Sequence, residues 1–479
     1  MRSIVLGADA GTHGIRILAL EIPSYQLIAQ SKSEYTRNCK GDIQELVVED
    51  LENAFFGALR SLKLPADAEI MAFGITHQRG TVIPVDQDGN PLANAFCDSD
   101  ARVLDSAGFL EYGIHPAEYY HTTGCPIVSF NGFAKILWCR KYMPDLYQKA
   151  AAWLSPQDFL LSRLLGHLQL TEGSLLRNGQ LNILTRQPEE AFFRDTEVLR
   201  HYTRVGECCG VVSKKWNADF PQLAKTLLFA VPGDQPAAVL AACAIDSENM
   251  YMNLGTSFVV SKISDTVPSD NESVITTEIL PFQKFAPEYG TGAGGQFMDF
   301  LTGLVYEHPP DTPEHWDQLD SEVGKIPAGA EGLSITPLLW NATTKGVKGK
   351  ISGMMPFHHR AGFFRAAYEG LAFEAKIAVE KIAANVHDSD GIIVFGGMSG
   401  GDSFMQILAS VTNKTVTSFV ITQASAFGAA IGCCIGLGIM KTMEDVKRAA
   451  GSALRVFYPL PNETLLYEEL YRLYREQRR

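Results

Sequence analysis

Asp9 ends the apolar run Ile4-Val5-Leu6-Gly7-Ala8, and the turn Ala10-Gly11-Thr12-His13-Gly14 follows at once. Backbone N–H groups and hydroxyls in a Gly-Thr turn can hold phosphate oxygens without a lysine. The same device recurs downstream: the apolar residues 250–254 lead into Gly255-Thr256-Ser257 and then Phe258-Val259-Val260. A third glycine element, residues 396–401, follows the buried-strand run Ile392-Ile393-Val394-Phe395, and Asp402 is placed to cap a helix over residues 403–411. Strand, glycine loop and helix N-terminus together can hold an anion. Asp234 follows Pro232-Gly233 and by itself is a turn residue, just as Asp9 by itself could simply cap its hairpin.

Several phosphate and hydrolase signatures are missing. The nearest approach to a G-x-x-x-x-G-K-[ST] loop is Gly346-Val347-Lys348-Gly349-Lys350-Ile351, which excludes a P-loop enzyme. There is no G-x-G-x-x-G opening a helix after a strand, no H-E-x-x-H pair and no G-x-S-x-G elbow.

The elements that must position these residues alternate. Residues 4–22 form a β-hairpin with a glycine-rich tip, Leu51, Ala54, Phe55, Ala58, Leu59 and Leu62 recur at helical spacing, and a strand resumes over 70–75. The two Gly-Thr turns lie about half a chain apart, a weak internal duplication that points to two similar α/β halves facing a cleft, although a repeated turn alone could be coincidence. A boundary is expected near residue 245. Small residues over 424–430 fall on successive helical turns, so another backbone or a flat ring can approach closely, and a charged amphipathic helix is expected from about Glu463.

At 479 residues, two domains are the first expectation. With 46% hydrophobic and 20% charged residues, 42 Gly and 23 Pro, the chain has the profile of a globular α/β protein. A net charge of −13 with no Lys/Arg-rich block argues against nucleic acid and acidic headgroups as partners. Nine scattered cysteines lack a zinc spacing and are expected as reduced, mostly buried thiols. Asp9 interrupts any signal-peptide core, and the uncharged residues 424–440 fall short of a bilayer span, so a cytoplasmic protein is expected.

These residues together resemble the FGGY family of carbohydrate kinases, within the actin and sugar-kinase superfamily, over nearly the whole chain. Asp9-Ala10-Gly11-Thr12-His13-Gly14-Ile15-Arg16 is similar to that family's first phosphate hairpin, and Gly74-Ile75-Thr76-His77-Gln78-Arg79 to its substrate stretch. Asp100 and Arg102 match an N-D-x-R element, and Pro156-Gln157-Asp158-Phe159-Leu160 a P-x-D-Y-L helix followed by Thr171-Glu172-Gly173-Ser174. Gly233-Asp234-Gln235-Pro236-Ala237-Ala238 is the strongest match, and Asn253-Leu254-Gly255-Thr256-Ser257 resembles the second hairpin. Residues 396–401 resemble an adenosine-binding loop, and 424–430 the helix that closes it.

The resemblance implies two ribonuclease-H-like (actin-like ATPase) domains flanking a catalytic cleft, residues 1–245 holding the sugar, the first phosphate hairpin and the base, and 246–479 the second hairpin and adenosine. It implies transfer of the γ-phosphoryl group of ATP to a small sugar or polyol, with Asp234 as catalytic base. Gln78, Arg79, Asp100, Asp234 and Gln235 are then substrate residues. Thr12, His13, Gly14, Arg16, Gly255, Thr256, Gly295, Gly397, Met398 and Gly401 bind ATP, and Asp9 and Asp234 hold Mg²⁺ largely through water. The bland readings are an ion pair for Arg79, mutual pairing for Asp100 and Arg102, a strand–helix connector for 396–401, and core packing for 424–430. A homodimer is the expected assembly.

Departures bear on the substrate. Gly80 stands where glycerol kinases carry Glu and xylulokinases His, which leaves room for a larger polyol or a ketose. Asp98 replaces a typical aromatic, Glu172 an Asp, and the segment after Pro337 lacks a G-E-R-x-P stretch. A ketopentose such as xylulose or ribulose is therefore expected, with glycerol, a tetritol or pentitol, or gluconate behind it. An ATPase or chaperone-like protein would need no Gln78-Arg79 or Gly233-Asp234-Gln235 elements, and retention of Asp9 and Asp234 argues against a silent sugar- or nucleotide-binding protein.

Overall fold

In the computed structural model, the structure describes residues 2–41, 43–190, 192, 198–242, 248–268, 274–279, 284–307, 310, 312–339, 348–419, 423–442, 444–446 and 454–478. The expected boundary near 245, the stretch 340–343 after Pro337, and Gly346-Val347 lie outside these residues. The chain forms two compact units. Unit 1 comprises residues 1–245, 265–286 and 423–451, and unit 2 comprises 246–264, 287–422 and 452–479.

The core of unit 1 is a six-stranded mixed sheet. Its strands are β1 (Arg2–Ala10), β2 (Gly14–Ile22), β3 (Leu27–Glu34), β4 (Ala68–His77), β5 (Cys208–Val211) and β6 (Leu227–Phe229). They lie in the order β5-β6-β4-β1-β2-β3. β1 and β2 form the expected hairpin, with Asp9 opposite Arg16 and Ala10 opposite Ile15. β1 runs parallel to β4, placing Asp9 beside Thr76, and β4 runs parallel to β6. The carboxyl ends of three parallel strands thus gather the hairpin turn, the segment after His77 and the segment leading to Asp234, the end where open α/β sheets bind ligands. The helix α1 (Val48–Ser61) carries the expected stripe, with Leu51, Phe55, Ala58 and Leu59 buried.

The helix Ala424–Gly436 also belongs to unit 1, where its small residues let backbones meet. A Cβ on Gly7 would lie 2.0 Å from the carbonyl oxygen of Ala426, and one on Gly428 would lie 1.8 Å from that of Ala237. Its apolar face is built into a core with Val5, Leu18, Ala72, Phe229 and Leu240. Of the two approaches open to a small-residue helix, the one seen is backbone on backbone.

Unit 2 repeats the plan. Its strands β7 (Met250–Leu254), β8 (Phe258–Lys262), β9 (Lys284–Gly290, of which 287–290 belong to this unit), β10 (Gly391–Phe395), β11 (Thr415–Phe419) and β12 (Leu454–Phe457) run in the order β9-β8-β7-β10-β11-β12. β7 and β8 are an antiparallel hairpin, and β10 lies parallel to β7. Hairpin, third strand and parallel neighbour follow the same order as β3-β2-β1-β4 in unit 1, so the repeated Gly-Thr turn marks a repeated topology. Buried Tyr467, Tyr471 and Tyr474 of the C-terminal helix Pro461–Gln477 bond to Glu369, Glu380 and Glu374 at 3.0, 2.8 and 2.7 Å. All eight described cysteines are free thiols, five of them buried. No described helix is long and apolar enough to cross a membrane.

Candidate active site in unit 1

Asp234 is the first residue of the helix Asp234–Ala241, capped by Gly233. Its Oδ1 accepts a hydrogen bond from Arg79 Nε at 2.7 Å and one from its neighbour's backbone N–H, that of Gln235, at 2.8 Å. Arg79 is therefore no surface residue: its side chain is 7% exposed, against 24% for Asp234. Gly233 is needed beneath it, because a Cβ there would lie 2.6 Å from Arg79 Cγ and Cδ. Asp9 shares this neighbourhood electrostatically. Burial and the charge of Asp234 push its carboxyl up to about 7, opposed by Arg16 across the hairpin. Asp9 Oδ1 is buried without a hydrogen-bond partner among the described residues, an atom left for something the protein does not supply.

The segments carrying these groups are tied together. Thr76 Oγ1 donates to the Pro232 carbonyl at 2.8 Å, and Gln157 Nε2 donates to the carbonyl of Val231 at 3.0 Å and to that of Ile75. Gln157 is held by Thr171 Oγ1 at 2.7 Å, which also contacts Asp158 at 2.7 Å. The matched P-x-D helix and the start of the helix Glu172–Arg177, with its N-cap Thr171, thus form a buried network, with Asp158 in a capping box with Ser155 and raised by burial to about 7. Glu172 accepts from the Val205 N–H at 3.2 Å. Sequence reading missed Gln157 and Thr76 as site residues. Their signal was adjacency to matched motifs.

Gln78 accepts from Arg37, whose other nitrogen donates to Asp98 at 3.0 Å. Arg37 was also missed, since it lies on the short strand Arg37–Lys40, remote in sequence from both partners. Asp100 is fully buried and accepts from Gln44 N, Arg102 N, Arg102 Nε and Arg102 Nη2 at 2.9, 2.9, 3.0 and 2.7 Å. Its oxygens are filled by protein donors, and Arg102 also reaches Glu45 at 2.6 Å. Gly80 corrects an expectation. Its φ is +83°, and a Cβ there would lie 2.3 Å from the Phe130 carbonyl oxygen, so the space beside it is filled by backbone rather than left for a larger substrate.

The first Gly-Thr turn closes with Gly11 N donating to the Gly14 carbonyl at 3.1 Å, and Tyr35 donates to the Gly11 carbonyl. Gly14 packs against Ser33, whose carbonyl oxygen would be 2.4 Å from a Cβ. Thr12 is half-buried, and His13 and Arg16 are exposed.

In unit 2, Thr256 is exposed, and the N–H of Gly295 donates to the Gly255 carbonyl at 2.9 Å. Gly397 is exposed with nothing within 4 Å of a Cβ position, and Met398 is half-buried. Asp402 does not cap its helix: it is the first helical residue, after Gly401. The carboxylate that caps this helix comes from Asp320, which accepts from Ser403 N at 2.9 Å, while Asp402 pairs with Arg455. Asp320 Oδ1 would lie 2.9 Å from a Cβ on Gly401. A carboxylate already at this helix N-terminus makes it a poor seat for a second anion. Among the described residues, no group of three or more His, Cys, Asp or Glu side chains is arranged to ligate a metal.

Models of the FGGY family of carbohydrate kinases match the chain over residues 4–239 for the N-terminal domain and 250–437 for the C-terminal domain. The chain is similar to a xylulose kinase of Bacillus subtilis strain 168, 24% identical, covering 98% of this chain and 96% of that protein. Among solved structures it superposes on a ligand-bound xylulose kinase from Lactobacillus acidophilus with a TM-score of 0.86 at 19% identity, covering 99% of this chain and 98% of that one. It also superposes on a gluconate kinase from Lactobacillus acidophilus with a TM-score of 0.85 at 19% identity, covering 100% and 98%. With two sheet-containing units of actin-like ATPase fold and family models matched along most of its length, this chain belongs to the FGGY family of carbohydrate kinases, phosphotransferases that use ATP to phosphorylate a sugar.

Proposed function

We propose that this kinase phosphorylates a hydroxyl of a ketopentose such as xylulose or ribulose, with Asp234 as the base that takes the hydroxyl proton. The observation that carries the assignment of the base is the Arg79–Asp234 contact of 2.7 Å at the carboxyl ends of the parallel strands. A carboxylate held by a guanidinium is fixed in direction, so it can accept a proton from a hydroxyl placed against it. Gln78, Arg79 and Gln235 are the proposed substrate residues, and Asp100, its oxygens already filled, orders the loop behind them. Thr12, His13, Gly14 and Arg16 of unit 1, and Gly255, Thr256, Gly295, Gly397, Met398 and Gly401 of unit 2, are the proposed ATP residues.

Asp9 and Asp234 are the proposed magnesium residues. The partnerless Asp9 Oδ1 and the mutual repulsion of the two carboxylates fit a cation held through its water shell. Bound Mg²⁺ would neutralise phosphate charge. The order of substrates rests on the xylulose kinase relatives, since Gly80 carries no preference. The test is ADP production with Mg-ATP over pentuloses, aldoses, hexonates, tetritols, pentitols and glycerol beside a no-sugar control. A ketopentose as the single strong responder is the expected result, and a polyol or hexonate in its place overturns the ketopentose reading.

A further inference from the structure

Lys135 lies in the helix Gly132–Tyr142 and is fully buried. Its Nζ donates to the carbonyl of Gly80 at 2.9 Å, to that of Asp98 at 3.2 Å and to that of Ser129. An ammonium has three donors, and here three separate segments supply three acceptors. Each segment borders the Gln78-Arg79 strip. Gly80 ends it, Asp98 holds the Arg37 that donates to Gln78, and Ser129 precedes the Phe130 carbonyl that fills the space beside Gly80. A buried cation is costly where an apolar side chain of similar length could pack instead, so this one is a candidate for a role beyond filling space.

We propose that Lys135 is a positioning residue that sets the Gln78-Arg79 strip for the sugar by holding these three carbonyls. The proposal rests on the reading of Gln78 and Arg79 as sugar-binding residues. Around Nζ, the carboxylates of Asp98 and Asp100 favour the charged form, and Arg177 opposes it. Burial outweighs them and brings Lys135 down to about 8, while the Cys97 thiol is pushed up to about 12. The clamp is therefore charged at neutral pH and loses its proton as pH rises above about 8.

The experiment is steady-state kinetics from pH 6.5 to 9.5 on the full chain with the sugar identified by the panel, repeated for Lys135→Met and Gln78→Ala. For the wild type the sugar KM should hold steady below pH 8 and rise several-fold by pH 9.5, with the ATP KM flat. Lys135→Met should raise the sugar KM about tenfold at pH 7, change kcat by less than about threefold, and abolish the pH dependence of KM. A flat wild-type sugar KM, or a Lys135→Met KM within about twofold of wild type, overturns the proposal. The wild-type profile decides alone if the variant fails to fold. If Gln78→Ala leaves the sugar KM unchanged, the reading of the strip falls and this role with it. If Gln78→Ala raises KM and Lys135→Met does not, only the role of Lys135 falls.

Discussion

Arg79 Nε lies 2.7 Å from Asp234 Oδ1, joining two residues 155 positions apart in the chain. The pair is largely shielded from water, which strengthens its attraction and makes removal of either partner costly to the other. Asp234→Asn should lower kcat by two or more orders of magnitude while nucleotide still binds, as removal of a general base does. Steady-state turnover with a parallel nucleotide-binding titration checks this. Unchanged turnover would remove Asp234 as the base.

Asp9 gives a pH dependence whose sign follows from its environment. Its carboxyl is raised from 3.8 to about 7, so below pH 7 it is increasingly protonated and must lose a proton to serve a cation. Apparent Mg²⁺ affinity should fall towards tenfold per pH unit as pH drops below about 7. Calorimetric titration of Mg-ATP at pH 6, 7 and 8, in buffers of different ionisation enthalpy, should show proton release on binding.

The same carboxyl has a stability consequence. Because its folded pKa lies above the unfolded value, ionising Asp9 opposes folding, and the metal-free protein should lose stability as pH climbs from about 4 through 7. Asp9→Asn should then raise the melting temperature of the metal-free protein at pH 8 by roughly 2–4 °C, for about 1 kcal/mol, while abolishing activity. A scan of both proteins in chelator tests it.

Gly80→Ala adds a methyl where the backbone is left-handed and the Phe130 carbonyl oxygen would be 2.3 Å away. The strain should cost about 1–3 kcal/mol and raise the sugar KM. A variant with wild-type stability and a changed sugar preference would restore a pocket-shaping role for this position.

In unit 2, two acidic residues at one helix terminus should behave differently. Asp320→Ala removes the hydrogen bond to Ser403 N and should cost about 1 kcal/mol. Asp402→Ala removes an exposed pair with Arg455 and should cost less than about 1 kcal/mol. Denaturant titration of both variants compares them.

By itself the sequence determined the main elements and which residue types stand at their ends. Apolar runs and Gly-Thr turns located both hairpins, helical spacing located Val48–Ser61, and the family resemblance of Gly233-Asp234-Gln235 marked the carboxylate proposed as the base. Such signals are local, because strand period, turn composition and helix caps act over a few residues. Tertiary structure alone decided which partner each side chain meets. It turned Arg79 towards Asp234, brought Gln44 to Asp100, filled the space beside Gly80 with Phe130, and capped a helix with Asp320 in place of the adjacent Asp402. It also laid the helix Ala424–Gly436 against β1 within unit 1, across more than 400 residues of chain. These outcomes depend on the register of parallel strands and on hydrogen bonds between distant segments, for which a linear spacing carries no information.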